Sequence, residues 1–229
     1  MVLDVRLRAA ADMVPHGARL ADIGSDHAYL PIALCLENKI DCALASDINE
    51  GPVKAAIANI RKNGLSDRIR AVRADGLDSA RDFSPDCITV LGMGGELIVS
   101  ILDKAEWIRD KNITLVLQPM THPEILAKYL AEEGFAVIDE IMVCDGGRAD
   151  RIYRIISAKF DGKARKLTEG EALIGIINIE RGDSVTRAYI ERNIRILETR
   201  IKGRLGAGGE ADAEIALVGE LKAFLERSF

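Results

Sequence analysis

Short apolar runs alternate with amphipathic segments through the first 160 residues of the chain. The short runs predict five buried strands, at about 20–23, 42–47, 69–75, 87–93 and 113–119. The segments with helical spacing predict helices at about 3–14, 29–37, 51–63, 95–102 and 122–133. Alternating strands and helices are typical of a parallel sheet covered on both faces. The pattern therefore predicts an α/β, Rossmann-like fold.

Two further apolar runs follow, Phe135–Val143 and Arg151–Phe160. Asp145, Gly146 and Gly147 between them are turn residues, so we expect these two strands to pair antiparallel. The sheet is then predicted to have seven strands with an antiparallel last pair. Residues 1–160 form the first predicted domain.

The composition changes after Phe160. The segment DGKARKLTEGE is polar and resembles a linker. Beyond it, two helical patterns are separated by GAGGEAD; their apolar positions are Ile190, Ile194, Leu197, Ile201 and Leu205 in the first, and Ile215, Val218, Leu221 and Leu225 in the second. We therefore predict that residues 161–229 comprise a linker and an antiparallel, coiled-coil-like helical hairpin.

Composition excludes several classes of protein. The 229 residues are 48% hydrophobic, as in ordinary globular proteins, and no apolar run is long enough for a membrane span. The amphipathic first segment differs from a signal peptide. The four cysteines, Cys35, Cys42, Cys87 and Cys144, form no CxxC pair. This spacing favours reduced thiols in a cytoplasmic protein, with no disulfide framework and no metal site.

Charge is unevenly distributed. The net charge is −5, but residues 159–205 carry 11 basic and 7 acidic residues. The arginines of the first hairpin helix, including Arg187, Arg192 and Arg195, are candidates for contacts with RNA phosphates. A solvated helix face of mixed charge, or a dimerisation or stabilising arm, explains the same pattern. The sequence predicts no particular oligomeric state.

The stretch RLADIGSDHAYLP, from Arg19 to Pro31, predicts a strand that turns into a helix through Gly24. The dinucleotide fingerprint GxGxxG is absent, because only its first glycine is present. Asp26 would also place a negative charge where a pyrophosphate binds. The turn therefore favours a nucleoside with a neutral or positive tail, such as S-adenosylmethionine, over NAD.

Acidic residues end three successive predicted strands: Asp22, Asp47 and Asp75. Carboxyl ends of parallel strands meet at one edge of a sheet, where ligands bind, so we expect the three carboxylates to line a crevice there. Asp47 is placed to bind ribose hydroxyls and Asp75 an adenine amino group. Capping or turn roles before Gly51-Pro52 and at Asp75-Gly76 are the alternatives.

Four motifs resemble those of the bacterial tRNA adenine-N1 methyltransferase family. They are DIGSDHAYLP, the acidic residue after the second strand, GMGG after the fourth strand and QP after the fifth. The resemblance implies a class I S-adenosylmethionine-dependent methyltransferase with a C-terminal helical hairpin, acting on tRNA, in the D arm. It also implies that Asp22, Gly24, Asp47 and Asp75 hold the cofactor, with Ser25, Asp26 and His27 beside it. The predicted cofactor site includes Ser25 and further Ile48, Gly76, Gly92 and Met93. Arg6 in the first helix is expected to face the tRNA.

Transfer to adenine N1 requires alignment and a dry pocket more than a general base, since N1 has a free lone pair. A carboxylate near the base would stabilise the positive charge that develops on it, and Asp26 is the candidate. His27 is a candidate for positioning, with a backbone-bonded histidine as the alternative. Tyr29 is a candidate for stacking on an extruded adenine, and core packing is the alternative. Gln118 and Pro119 are expected to form the far rim of the pocket.

The resemblance departs at Met120, where the family has an asparagine after Gln-Pro, so the local pocket is expected to differ.

Two other functions stay open on sequence alone. A methyltransferase of a small molecule or protein would turn over its cofactor without RNA. A non-enzymatic RNA-binding protein would bind tRNA without needing Asp22 or Asp47.

Overall fold

A seven-stranded sheet in the order β3-β2-β1-β4-β5-β7-β6 forms the centre of the computed structural model. The model describes residues 2–146 and 151–228. The strands are β1 (Ala18–Ile23), β2 (Ile40–Asp47), β3 (Ile69–Arg73), β4 (Cys87–Gly94), β5 (Thr114–Thr121), β6 (Phe135–Cys144) and β7 (Ile152–Phe160). The first five are parallel, and β7 is antiparallel to both β5 and β6. The predicted Rossmann-like sheet with an antiparallel last pair is thus confirmed. Gly147, one of the residues predicted to form the turn between β6 and β7, lies outside the described residues.

Helices cover both faces of this sheet. They are α1 (Val5–Met13), α2 (Tyr29–Leu36), α3 (Glu50–Lys62), α4 (Ala80–Phe83), α5 (Gly95–Asp103) and α6 (Pro123–Glu132). Buried residues of α1, α2 and α3 pack on one face with Leu20, Ala43 and Ile69. Residues of α4, α5 and α6 pack on the other with Ala21, Leu44 and Ile88. Neighbouring strand residues point to opposite faces, which is why these strands are apolar throughout.

Local sequence explains where several helices begin. The Asp4 carboxylate caps α1 by accepting from the Leu7 amide at 2.7 Å. Pro123 occupies the first turn of α6, where its missing N–H costs nothing. Helix α3 carries Glu50 in its first turn and Arg61 and Lys62 in its last, which complements its dipole.

The segment between β7 and the C-terminal hairpin contains helices that the sequence pattern did not indicate. Helix α7 (Glu169–Ile174) begins within DGKARKLTEGE, and α8 (Ile176–Arg181) follows it. A capping box between Thr168 and Glu171 starts α7, and tertiary contacts stabilise both helices, which are too short to stand alone. The last three residues of the linker-like segment, 169–171, are therefore helical, and α8 lies beyond that segment.

The C-terminal hairpin consists of α9 (Ser184–Gly206) and α10 (Asp212–Ser228). Its buried seam includes Ile190, Ile194, Leu197, Val218 and Leu221, as the helical spacing indicated. Leu205 is 53% exposed because it lies near the open end of the hairpin. The seam is closed at its other end by Met142 of β6 and Ile174 of α7. The hairpin therefore packs on the sheet through α7 and β6.

A buried ion pair joins the sheet to the C-terminal helices. Arg154 of β7 donates from Nε and Nη2 to one carboxylate oxygen of Glu140 in β6, at 2.9 and 2.7 Å, and only 4% and 1% of the two side chains are exposed. Arg154 also donates to the Ala172 carbonyl in the last turn of α7 at 2.6 Å, and Glu140 accepts from the Ile177 amide at the start of α8 at 3.0 Å. Each charge thus faces the helix end of opposite polarity.

No helix in the described part of the chain is long and apolar enough to cross a membrane. The four cysteines all lie within the described residues, and no disulfide joins them.

Arg154→Met is expected to lower the free energy of unfolding by about 3–5 kcal/mol, because it leaves the Glu140 carboxylate buried without its cation. Urea denaturation followed by circular dichroism measures the change. Lys54→Met, which removes an exposed ion pair with Glu50, is the control and should shift the midpoint little. Equal midpoints for the two variants would contradict the role given to Arg154.

Candidate active site

The turn after β1 is supported from beneath by Asp22. This carboxylate is 6% exposed and accepts hydrogen bonds from Ser25 Oγ at 2.5 Å and Thr89 Oγ1 at 2.6 Å. Burial raises the pKa of Asp22, while the two hydroxyls and the charge of Arg6 act in the opposite direction. With both oxygens engaged, Asp22 does not line an open crevice as expected; it holds the turn in shape.

The turn itself has an unusual backbone. Gly24 has φ +69°, and the non-glycine residues His27 and Ala28 have φ +60° and +56°. The amide of Asn59 in α3 donates to the His27 carbonyl at 3.1 Å and holds this conformation. Left-handed non-glycine residues are strained, and such strain concentrates at functional sites.

Asp26, His27 and Tyr29 lie together at the surface of this turn. His27 Nε2 is 3.2 Å from Asp26 Oδ1, and the His27 and Tyr29 rings stack with centroids 5.2 Å apart. Tyr29 is 41% exposed, so its ring is not a core residue. The structure thus places an acid, an imidazole and an aromatic face side by side at the carboxyl edge of the sheet.

The neighbouring strand ends carry Asp47 and Asp75. Asp47 is half-buried, and its Oδ1 accepts from the Asn49 amide at 2.7 Å. Asn49, not Asp47, is the N-cap residue of α3, and Ile48 is exposed beside it. Asp75 is exposed and borders a cavity of about 160 Å³ with Gly76. The capping alternative for Asp47 is therefore wrong.

Gln118 lies beneath the opposite rim of the site, since its side chain is fully buried. Its Oε1 accepts from Arg6 Nη1 and from the Gly92 amide, both at 3.0 Å, and its Nε2 donates to the Pro119 carbonyl at 2.8 Å. These bonds tie α1, β4 and β5 together. The Arg6 side chain is 22% exposed; its Nη1 is held by Gln118, and its Nη2 lies 3.8 Å from Asp4. Its predicted contact with tRNA stays a prediction.

Two glycine segments bring the rims together. A Cβ on Gly24 would lie 2.0 Å from Met93 Cε, and one on Gly95 would lie 2.2 Å from the His122 carbonyl oxygen. Met93 pairs with Pro119 across an irregular stretch of the β4–β5 ladder. The close approach of Gly24 to the Met93 side chain joins the β1 turn to the β4–β5 rim. Only a glycine at position 24 allows this approach, because it has no Cβ.

The hairpin arginines do not form one group. Arg187 pairs with Glu191 of its own helix at 3.0 Å, and Arg195 is exposed away from the sheet. Arg192 borders a cavity of about 490 Å³ between α9 and the end of β5.

Sequence reasoning missed Thr89, Asn59 and the bond between Arg6 and Gln118. Thr89 was detectable as the one polar residue inside the apolar run CITVL. The other two depend on contacts between residues far apart in the chain, 32 residues for Asn59 and His27 and 112 for Arg6 and Gln118.

Comparison with known proteins places this site in a family. A family model described as a methyltransferase domain matches residues 3–156, and the chain belongs to that family. The tRNA (adenine(22)-N(1))-methyltransferase of Bacillus subtilis is 37% identical over 157 residues, which are 69% of this chain and 65% of that protein.

Solved structures resemble the whole chain, hairpin included. A protein of the NADB-Rossmann superfamily from Streptococcus agalactiae superposes with a TM-score of 0.88 at 31% identity, covering 98% of each chain. Sp1610 of Streptococcus pneumoniae, in complex with S-adenosyl-L-methionine, gives 0.86 at 28% identity, with 98% and 100% covered. The B. subtilis M1A22 tRNA methyltransferase TrmK gives 0.82 at 29%, with 98% and 96% covered. The family resemblance predicted from the motifs is confirmed.

Asp22→Asn is expected to raise the urea midpoint at neutral pH, because the ionised wild-type carboxylate is buried at a cost that an amide avoids. The gain should shrink as the pH falls through the raised pKa of Asp22 toward its ordinary value of 3.8, since the wild-type carboxylate then takes up a proton. Denaturation at two pH values tests this. Asp75→Asn, at an exposed position, is the control; a gain for Asp22→Asn that is equal at both pH values would contradict the prediction.

Proposed function

We propose that this chain is an S-adenosylmethionine-dependent tRNA methyltransferase that acts in the cytoplasm and methylates N1 of an adenine in the D arm. The observation that carries the proposal is the contact of the Gly24 turn with Met93 beside the Gln118-Pro119 rim, in a chain related to a tRNA (adenine(22)-N(1))-methyltransferase. The glycine turn, the exposed ring of Tyr29 and the rim provide an edge for a nucleoside cofactor and a flat base.

The residues at this edge fit S-adenosylmethionine. Asp47 Oδ2 has no hydrogen-bond partner among the described residues and is available to a ribose hydroxyl. Ile48 is exposed next to it and offers an apolar surface to a purine, with Asp75 at the adjoining strand end for the amino group. Gly24 lies directly against the Met93 side chain, which brings the turn close to the opposite rim. Asp26 disfavours a pyrophosphate, as does the absence of further glycines in the turn.

S-adenosylmethionine, when bound, supplies a methyl group on a positively charged sulfur. The lone pair of adenine N1 would accept that methyl group, with the C–N bond forming as the C–S bond of the cofactor breaks, so no residue would have to remove a proton first. The purine becomes cationic, and the Asp26 carboxylate stabilises that charge once RNA covers the site and excludes water. His27, 3.2 Å from Asp26, orients the carboxylate, and the exposed Tyr29 ring is available for stacking on the base. Gln118, immobilised by Arg6 and Gly92, fixes the opposite rim.

Unmodified tRNA transcripts incubated with wild-type protein and methyl-labelled S-adenosylmethionine are expected to yield 1-methyladenosine after digestion to nucleosides. Asp26→Asn should lower kcat at least about tenfold, with cofactor affinity unchanged, because the carboxylate acts on the charge of the base. Label absent from tRNA despite retained cofactor binding would overturn the proposal and direct the search to small-molecule or protein substrates.

Gly24→Ala is expected to weaken S-adenosylmethionine binding, because the new Cβ must displace the Met93 side chain from the rim. Gly64→Ala is a matched control, since Gly64 has the same φ of +69° but open space around it. Both variants should lose about 1–2 kcal/mol of stability from left-handed strain. Isothermal titration calorimetry separates the two effects, and equal cofactor affinities for the variants would remove Gly24 from the cofactor site.

A further inference from the structure

A cleft separates the C-terminal hairpin from the end of β5. One wall is the segment Pro119–Glu124, and the other is one face of α9, formed by Tyr189, Arg192, Asn193, Ile196 and Arg200. Those positions follow helical spacing, so they lie on one side of α9 next to its buried seam. The volume is about 490 Å³, in the range of small-molecule sites. We call this space the hairpin cleft.

The hairpin cleft adjoins the proposed catalytic edge at Pro119. Pro119 is among the residues that line the cleft, and its carbonyl accepts from the buried Gln118 side-chain amide at 2.8 Å. Met120, the next residue, is 50% exposed toward the cleft. A polynucleotide whose adenine occupies the Gln118-Pro119 rim would therefore continue into the hairpin cleft with its neighbouring nucleotide.

Two arginines without a carboxylate partner line this space. Of the other charged lining residues, Arg154 is paired with Glu140, Glu169 is paired with Lys128, and Glu124 Oε1 lies 3.1 Å from His122 Nδ1. By contrast, neither Arg192 nor Arg200 has a carboxylate within 4 Å in residues 2–146 and 151–228. Two arginines on one helix face beside a concave surface favour an anion such as a phosphodiester.

The same walls offer apolar and aromatic surface. Met120 is exposed on the β5 wall of the cleft, and Ile196 is exposed on the α9 wall. The half-buried Tyr189 also lies on the α9 wall. Unstacked RNA bases bind on aromatic rings and apolar side chains, while their phosphates bind arginine. The hairpin cleft combines both kinds of surface.

We propose that the hairpin cleft binds the nucleotide adjacent to the target adenine, with its base against Met120, Ile196 and Tyr189 and its two flanking phosphates on Arg192 and Arg200. The cleft then holds the strand splayed open while the adenine is extruded. This inference rests on the proposed tRNA methyltransferase function.

The first test compares two double variants of equal charge change. Arg192→Gln/Arg200→Gln alters the cleft, and Arg61→Gln/Lys62→Gln alters two exposed positions in the last turn of α3, far along the chain from the hairpin. We expect the cleft variant to raise the Kd for fluorescein-labelled tRNA at least about tenfold and to lower its salt slope by about 2, one for each phosphate contact. The control should change the Kd less than about threefold, and cofactor affinity should be unchanged in both. Equal losses, or no loss, would overturn the proposal.

The second test concerns the base. Transcripts with an abasic residue on the 5′ or the 3′ side of the target adenine are compared with intact tRNA as substrates. With the wild-type protein, one of the two abasic transcripts is expected to have a KM at least about fivefold higher than that of intact tRNA. With the Met120→Ala/Ile196→Ala variant, the same abasic transcript should have nearly the KM of intact tRNA, because that variant already lacks the contact with the base. Additive effects, or no effect of either abasic residue, would overturn the assignment.

The two proposals fail in different ways. If the wild type binds tRNA but forms no 1-methyladenosine, the proposed reaction falls, and the binding comparison still decides whether the cleft holds RNA. If the wild type methylates tRNA and the two double variants bind alike, only the cleft assignment falls.

Discussion

The buried pair of Arg154 and Glu140 is the interaction on which the arrangement of the two parts of the chain depends. It lies between β6 and β7, and each of its charges also binds the end of a short helix, α7 or α8. A buried charge that loses its partner is costly, so α7 and α8 have one favourable position against the sheet. Since α7 contributes Ile174 to the seam of the hairpin, that position also sets where α9 lies relative to the end of β5. The hairpin cleft follows from this constraint.

A second constraint assembles the catalytic edge, and it depends on small residues and buried polar groups. Gln118 is held by Arg6 and Gly92, and the β1 turn is held by Asp22, Ser25 and Thr89. The two halves meet where Gly24 approaches Met93. Buried polar networks of this kind are stable only when every member is paired, and they then hold one geometry. Such an edge is preorganised for a reaction that requires alignment more than proton transfer.

Much of the fold followed from local pattern, and the errors have identifiable causes. The strands were predicted because apolar runs of this length, punctuated by glycine and acidic residues, are typical of buried parallel strands. Helices α7 and α8 were missed because each has only six residues, too few to show a helical period, and their stability comes from Arg154, Glu140 and the capping box at Thr168. The bond between Arg6 and Gln118 was missed because residues 112 positions apart give no local sign of their contact.

The sequence by itself determined the order of the elements, the glycine turn at Gly24, the strand-end positions of Asp47 and Asp75, and the family to which the motifs belong. These properties depend on residues close together in the chain, where hydrophobic period, glycine and proline act directly. Only the tertiary structure decided that Asp22 is buried beneath the turn, that Arg6 binds Gln118, and that Arg192 and Arg200 share a cleft with Met120. Those outcomes depend on which distant side chains share a low-dielectric interior or a common wall, which packing sets and local pattern does not encode.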